Sequence, residues 1–231
     1  PMERLWACTP QITGTFALAS PERHALPAPG AVVMGTLRTM PDGTLAVDNP
    51  IAHGRADTPG MASQLSLLTQ AIPTIFSDAA EQEGQRVADC TAARQSQPAP
   101  QDRQDLRALP LITLDDETAQ DFDDAIWAEA TEAGFHLIIA IADVSHAVPA
   151  GSALDKEARL RGTSIYLPDR TVPMLPLSLS ANACSLLPEQ DRLCLFADMQ
   201  ITHDGQILDG TIRRGIMRSA ARLTYHDAQA M

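Results

Sequence analysis

Between Leu114 and Trp127 the chain reads Leu-Asp-Asp-Glu-Thr-Ala-Gln-Asp-Phe-Asp-Asp-Ala-Ile-Trp, and Asp115, Asp121, Asp123 and Asp124 are the residues with chemical potential. Phe122, Ala125, Ile126 and Trp127 are interleaved with the charges, a mixture unlike that of a uniformly solvated acidic face. Two carboxylates about 4 Å apart near a surface repel by roughly 4 kcal/mol at an effective dielectric of 20. Four converging on one point therefore need a cation, or protons on several of them. Oxygen donors of this kind select a hard cation, with Mg²⁺ or Mn²⁺ ahead of zinc.

Asp121 and Asp123 lie two apart, so on an extended segment they face the same side. Asp124 faces the other side of a regular strand and joins them only through a local bend or bulge. Asp115 has to return from the preceding loop. Asp-x-Asp-Asp alone is also what an acidic surface loop contains. A calcium loop of the EF-hand type does not fit, because Ile126 stands where its turn glycine belongs, although Asp123 matches its second ligand.

The elements that must hold this stretch are readable on both sides of it. Leu111-Ile112-Thr113-Leu114 leads in, and residues 135–144 are apolar and branched enough for a buried strand. Ser152-Ala153-Leu154-Asp155 resembles a capping box that opens a short helix through Arg161, with Gly162 as its stop. Residues 192–202 and 206–217 flank His203-Asp204-Gly205, a hairpin signal. This half reads as a mixed α and β domain. Upstream, 31–34 and 44–47 read as strands around the turn Met40-Pro41-Asp42-Gly43, and helical spacing follows over 63–72 and 78–90, separated by Pro73. Residues 93–101 carry no hydrophobic periodicity and read as a linker. The expected organisation is an accessory region over 1–92, serving either nucleic-acid binding or packing, a linker over 93–106, and a second domain over 107–231.

The chain has 231 residues with a net charge of −12, which at first argues against a basic nucleic-acid clamp or a membrane-surface binder. The acidity is local: 11 acids and 2 bases fall in residues 101–150, whereas residues 151–231 hold 9 of each. Cys8, Cys90, Cys184 and Cys194 form no CxxC pair, so reduced thiols in a cytoplasmic protein are expected. No apolar run of membrane-spanning length and no signal segment is present, so a soluble protein is expected.

Asp115-x5-Asp121-x-Asp123-Asp124-Ala125 resembles the signature of the ribonuclease II/ribonuclease R (RNB) family of exoribonucleases. Further blocks follow in order: Ile139-Ala140-Ile141-Ala142-Asp143-Val144-Ser145-His146, then residues 154–168, then Val172-Pro173-Met174-Leu175-Pro176, Cys184-Ser185-Leu186, Asp191-Arg192-Leu193-Cys194 and Ala221-Arg222-Leu223-Thr224-Tyr225. The resemblance covers about residues 107–231. It implies an α+β, mixed-sheet catalytic domain and a processive, Mg²⁺-dependent 3′-to-5′ hydrolytic exoribonuclease. Single-stranded RNA would be the substrate and nucleoside 5′-monophosphates the product.

By the same resemblance Asp115, Asp121, Asp123 and Asp124 would be the catalytic, metal-binding carboxylates, with Asp123 the most damaging to lose. Tyr166 would stack on RNA near the cleaved end, and Arg161 is grouped with it as an RNA contact. No DNA or membrane partner is expected, and the protein is expected to be monomeric. The family's catalytic domain is longer than the stretch present, so the chain is expected to be one segment of a longer protein and poorly active alone. The competing readings are a non-catalytic RNA-binding relative and a Mg²⁺ phosphohydrolase acting on nucleotides. His146 is expected to be structural, Asp143 to orient a neighbour or cap a turn, and Cys184 and Cys194 to pack. Arg213, Arg214, Arg218 and Arg222 read either as phosphate contacts or as a solvated strand face.

Overall fold

The computed structural model describes residues 4–8, 13–18, 28 and 30–230, with the side chains of 28 and 30–230; the thiol of Cys8 lies outside these. The chain divides into two units, Pro1–Thr74 with Tyr166–Thr171, and Ile75–Ile165 with Val172–Met231. In the first unit β1 (Arg4–Cys8), β2 (Thr13–Leu18), β3 (Ala31–Thr39) and β4 (Leu45–Arg55) build a sheet in the order β1-β2-β4-β3, and α1 (Met61–Thr69) follows. β3 and β4 are the expected hairpin. The Met40 amide donates to the Thr44 carbonyl at 2.8 Å, and Gly43 takes φ +81°, which glycine adopts without a Cβ penalty.

The second unit contains α2 (Asp78–Ala93), β5 (Gln104–Asp105), β6 (Ile112–Asp115), β7 (Asp124–Thr131), β8 (Gly134–Ala142), α3 (Val144–Ala147) and α4 (Ala153–Arg161). A short pair, β9 (Ile165–Leu167) and β10 (Arg170–Val172), comes next along the chain, with its Tyr166–Thr171 stretch belonging to the first unit. A π-helical turn (Leu179–Ala183), β11 (Asp191–Thr202), β12 (Ile207–Arg218), β13 (Ala221–Thr224) and α5 (Tyr225–Ala230) complete it. Seven strands form one sheet in the order β13-β6-β7-β8-β11-β12-β5, parallel at its two outer pairs and antiparallel between. This is the α+β, mixed-sheet class expected. Phe122, Ile138, Ala140, Leu186, Cys194, Phe196 and Met217 close the core on one face. β8 is the strand read over 135–144, but its burial is one-sided: Ile138, Ala140 and Ala142 are buried, while Ile141 on the opposite face is 45% exposed.

α2 lies in the second unit, although a linker over 93–106 would group it with the first. α2 and α4 cap each other: Glu83 accepts from the Leu154 amide and Glu157 from the Ser77 amide, both at 3.0 Å, filling donors that a helix start leaves open. Ala80, Leu154, Leu175 and Leu179 pack beneath. Ser152 caps α4 as read, accepting from the Asp155 amide at 3.1 Å, while Asp155 accepts from Gly151 rather than completing the box on Ser152.

The segment after α2 is stitched down by one buried carboxylate, Asp191. It accepts from the Ser96 amide at 3.0 Å, from Arg107 at 3.0 Å and from Arg218 at 2.7 and 2.8 Å, and Gln95 bonds its backbone. Asp143 is likewise buried. It pairs with buried Arg103 at 2.6 Å and caps α3 through the His146 amide. Burial alone opposes ionisation of both acids, but the arginines, Ser145 and the amides hold both carboxyls below the ordinary carboxylate range.

These depressed carboxyls contribute stability in full above the unfolded value near 4 and lose it as the pH falls through the folded values. The thermal midpoint should therefore hold from neutral pH to about pH 5 and drop below it. Arg103→Met should destabilise by about 3–5 kcal/mol in urea unfolding, because it leaves Asp143 buried and uncompensated.

Candidate functional site

Asp115 ends β6 and Asp124 begins β7, so the four carboxylates sit on one irregular connection between two neighbouring strands. Residues 121–123 are not extended strand, which is the departure from regularity that Asp124 required. What shapes the loop is Phe122. Its ring is buried in the core, its amide donates to the Ser185 hydroxyl at 3.0 Å, and its carbonyl accepts from the Leu186 amide at 2.8 Å. The Ser185 hydroxyl in turn donates to the Gln120 carbonyl at 2.9 Å, and the Asp123 carbonyl accepts from the Ala142 amide at 2.9 Å. With Phe122 turned inward, Asp121 and Asp123 on either side of it are turned away from the core.

From the other end of the sheet, β13 pairs with β6 in parallel, Thr224 opposite Asp115. Arg222 on that strand donates to the carbonyls of Asp116 and Glu117 at 2.8 and 2.7 Å, with its guanidinium 5.0 Å from the Phe122 ring centroid.

Burial raises the Asp123 carboxyl above the ordinary range, and the charges of Asp121, Asp124 and Asp115 push it further. Asp115 is raised by burial and then by Asp124 and Asp121, with Arg222 opposing. Asp115 Oδ2 is buried with no hydrogen-bond partner. Among the described residues no three His, Cys, Asp or Glu side chains are gathered closely enough to form a ready coordination sphere, so the convergence on one point expected of the four carboxylates is not formed here. A set of carboxylate oxygens with one buried oxygen unpartnered fits a hard divalent cation.

Residues 103–231 match the model of the RNB domain. The chain belongs to the RNB domain family. Among curated proteins it is similar to a ribonuclease R of Acidithiobacillus ferrooxidans, 37% identical over 96% of this chain and 50% of that protein. It is also similar to a ribonuclease R of Vibrio cholerae, 45% identical over 74% of this chain and 21% of that one. Among solved structures it resembles Mycoplasma genitalium RNase R in complex with ribose-methylated single-stranded RNA, with TM-score 0.76 and 26% identity over 98% of this chain and 37% of that chain. The same enzyme in complex with double-stranded RNA gives TM-score 0.78 and 27% identity over 94% and 40%. The chain thus spans half or less of the length of these relatives.

The remaining candidates within this RNB chain separate by what they touch. Tyr166 is 66% exposed on β9 and is grouped with the first unit. Arg161 does not present itself to solvent: its side chain is 3% exposed, lies 3.7 Å over the Phe76 ring, and donates to the Ile75 carbonyl at 2.8 Å. The RNA contact expected of it gives way to packing, because its helix ends against 75–76 and buries the stem. Asp143 is a cap, and His146 is exposed at the end of α3. Burial pushes the thiols of Cys184 and Cys194 up to about 12, so both are packing residues. Arg218 belongs to Asp191, Arg213 reaches Gln104, and Arg214 lies 3.9 Å from Asp102. Sequence reasoning missed Ser185 as the loop's anchor; its place in the Cys184-Ser185-Leu186 block was the available signal.

Ser185→Ala should leave the Phe122 amide and Gln120 carbonyl unpaired in a buried place. A loss of about 1–3 kcal/mol in denaturant unfolding is expected, with the native circular-dichroism spectrum retained.

Proposed function

We propose that this chain carries the metal-binding carboxylates of a 3′-to-5′ hydrolytic exoribonuclease that acts processively on single-stranded RNA and releases nucleoside 5′-monophosphates. The observation that carries the reading is the placement of Asp115, Asp121, Asp123 and Asp124 on one anchored connection between β6 and β7, with a buried Asp115 oxygen left unpartnered, in an RNB domain. The four would hold Mg²⁺, with Mn²⁺ as a substitute. When bound, the cations supply neutralisation of the phosphodiester charge and a nucleophile from water at neutral pH.

The chain's own residues define the rest. Asp123 has its ionised form opposed by burial and by all three partners, so a cation favours it, and by the family resemblance its loss should damage chemistry most. Asp115 and Asp124 serve chiefly to bind. Ser185, Leu186 and Ala142 hold the loop backbone that carries the carboxylates in place. The exposed ring of Tyr166 offers a stacking surface, which tolerates any base and so suits a substrate of any sequence.

The solved RNase R complexes with single- and double-stranded RNA support RNA as the partner. Among the described residues no helix is long and apolar enough to cross a membrane. The reading places the protein in the cytoplasm as a monomer, with no role for DNA. A relative that had kept only RNA binding would have no use for mutually repelling carboxylates, which favours catalysis over a silent scaffold.

The test is Asp123→Asn in the full gene product, assayed on 5′-labelled single-stranded RNA with Mg²⁺. Wild type should yield monophosphates and a short limit oligomer without a ladder. The variant should keep its RNA affinity and lose turnover by at least about 100-fold, the effect of removing several kcal/mol of charge stabilisation. Unchanged turnover in the variant, or hydrolysis of free nucleotides instead of RNA, overturns the reading.

A further inference from the structure

One arginine touches the carboxylate loop at both of its ends. Arg222 lies on β13 opposite Thr113 of β6, and its Nη2 donates to the carbonyls of the two residues that follow Asp115. Its guanidinium also rests near the ring of Phe122, the residue between Asp121 and Asp123. In this orientation Arg222 Nε is buried without a hydrogen-bond partner, so the group is set to suit the loop rather than its own donors. One guanidinium nitrogen holds two adjacent carbonyls while the planar group lies near a ring; a lysine ammonium, a point charge on a flexible stem, has no planar face for the second contact.

We propose that Arg222 is the positioning residue of the carboxylate loop. It fixes where Asp115 stands relative to Asp121 and Asp123, and thereby how tightly a divalent cation is held. This rests on the metal-site reading above. Arg222 touches neither cation nor substrate in this role; it acts through the backbone of 116–117 and the Phe122 ring.

Geometry and charge make opposite forecasts, which gives the proposal its test. A positive charge beside Asp115 repels an incoming cation, so if Arg222 acted by charge alone, removing it would tighten metal binding. If it acts by position, removing the guanidinium loosens binding even when the charge is kept. Mn²⁺ alone, titrated and followed by the electron paramagnetic resonance of the free ion, reads this without any turnover. Wild type, Arg222→Lys, Arg222→Gln and Asp123→Asn are compared below their metal-free thermal midpoints.

Positioning predicts that both Arg222 variants bind Mn²⁺ about tenfold or more weakly, the usual scale for a residue that orients metal ligands. Lysine at wild-type affinity, or glutamine at equal or tighter affinity, overturns the proposal. So does a lowered thermal midpoint with unchanged Mn²⁺ affinity in both variants, the mark of a merely structural arginine. If Arg222→Gln does not fold, Arg222→Lys alone decides. If wild type binds no Mn²⁺, or Asp123→Asn binds as well as wild type, the metal-site reading itself has failed and takes this proposal with it. That outcome is distinct from a failure confined to Arg222.

Discussion

Repulsion among Asp115, Asp121, Asp123 and Asp124 is the force that the second unit is built to contain. A single pair brought to about 4 Å near the surface costs roughly 4 kcal/mol. Against this stand the burial of Phe122, worth about 1.5–3 kcal/mol, and the loop's hydrogen bonds to Ser185, Leu186 and Ala142, each worth about 1 kcal/mol net. These sums match about one close pair and not several. The loop can therefore hold its carboxylates on one connection without pressing several of them together, and no three of them are gathered into a cluster among the described residues.

Anchoring of this kind works only if the partners are themselves immobile. Ser185 and Leu186 follow the π-helical turn and are fully buried, and their neighbour Arg192 secures them by donating to the Ser185 carbonyl at 2.8 Å from a buried guanidinium. Asp191, one residue earlier, gathers Ser96, Arg107 and Arg218. The start of β11 is thus a rigid node reached by α2's trailing segment, by β12 and by the turn beneath the loop. The buried charges at this node are fully engaged, which is the condition under which burying them is tolerable.

This division of labour explains what could be read from the chain and what could not. Hairpins at 40–43 and 203–205, the Ser152 cap and the strand through Ile138 are local patterns, set by periodicity and turn chemistry within a few residues. The acidic stretch was legible for the same reason: all four carboxylates lie within ten residues of one another. Ser185 stands 63 residues from Phe122, and Arg222 stands 106 from Asp116. Nothing local marks either as a partner of the loop. The grouping of α2 with the second unit was hidden likewise, because it rests on Glu83 and Glu157 reaching across more than 70 residues. The seat of Arg161 over Phe76 was hidden in the same way, because its sequence neighbours do not reveal that ring beneath it.

The distribution of arginine carries the argument one step further. Arg103 is matched to Asp143, and Arg107 and Arg218 to Asp191, so the two buried acids are each met by a guanidinium. Asp115, Asp123 and Asp124 receive no such partner among the described residues; the nearest guanidinium, that of Arg222, is turned to the carbonyls of Asp116 and Glu117 and only partly offsets Asp115. A chain that pairs its buried acids elsewhere has left these with an excess of negative charge. Such an excess is costly for folding, and it is useful only if a cation supplies what the arginines do not. Residues 115–124 hold six acids and no base, so half of the −12 net charge belongs to this one loop and to the ligand field it offers.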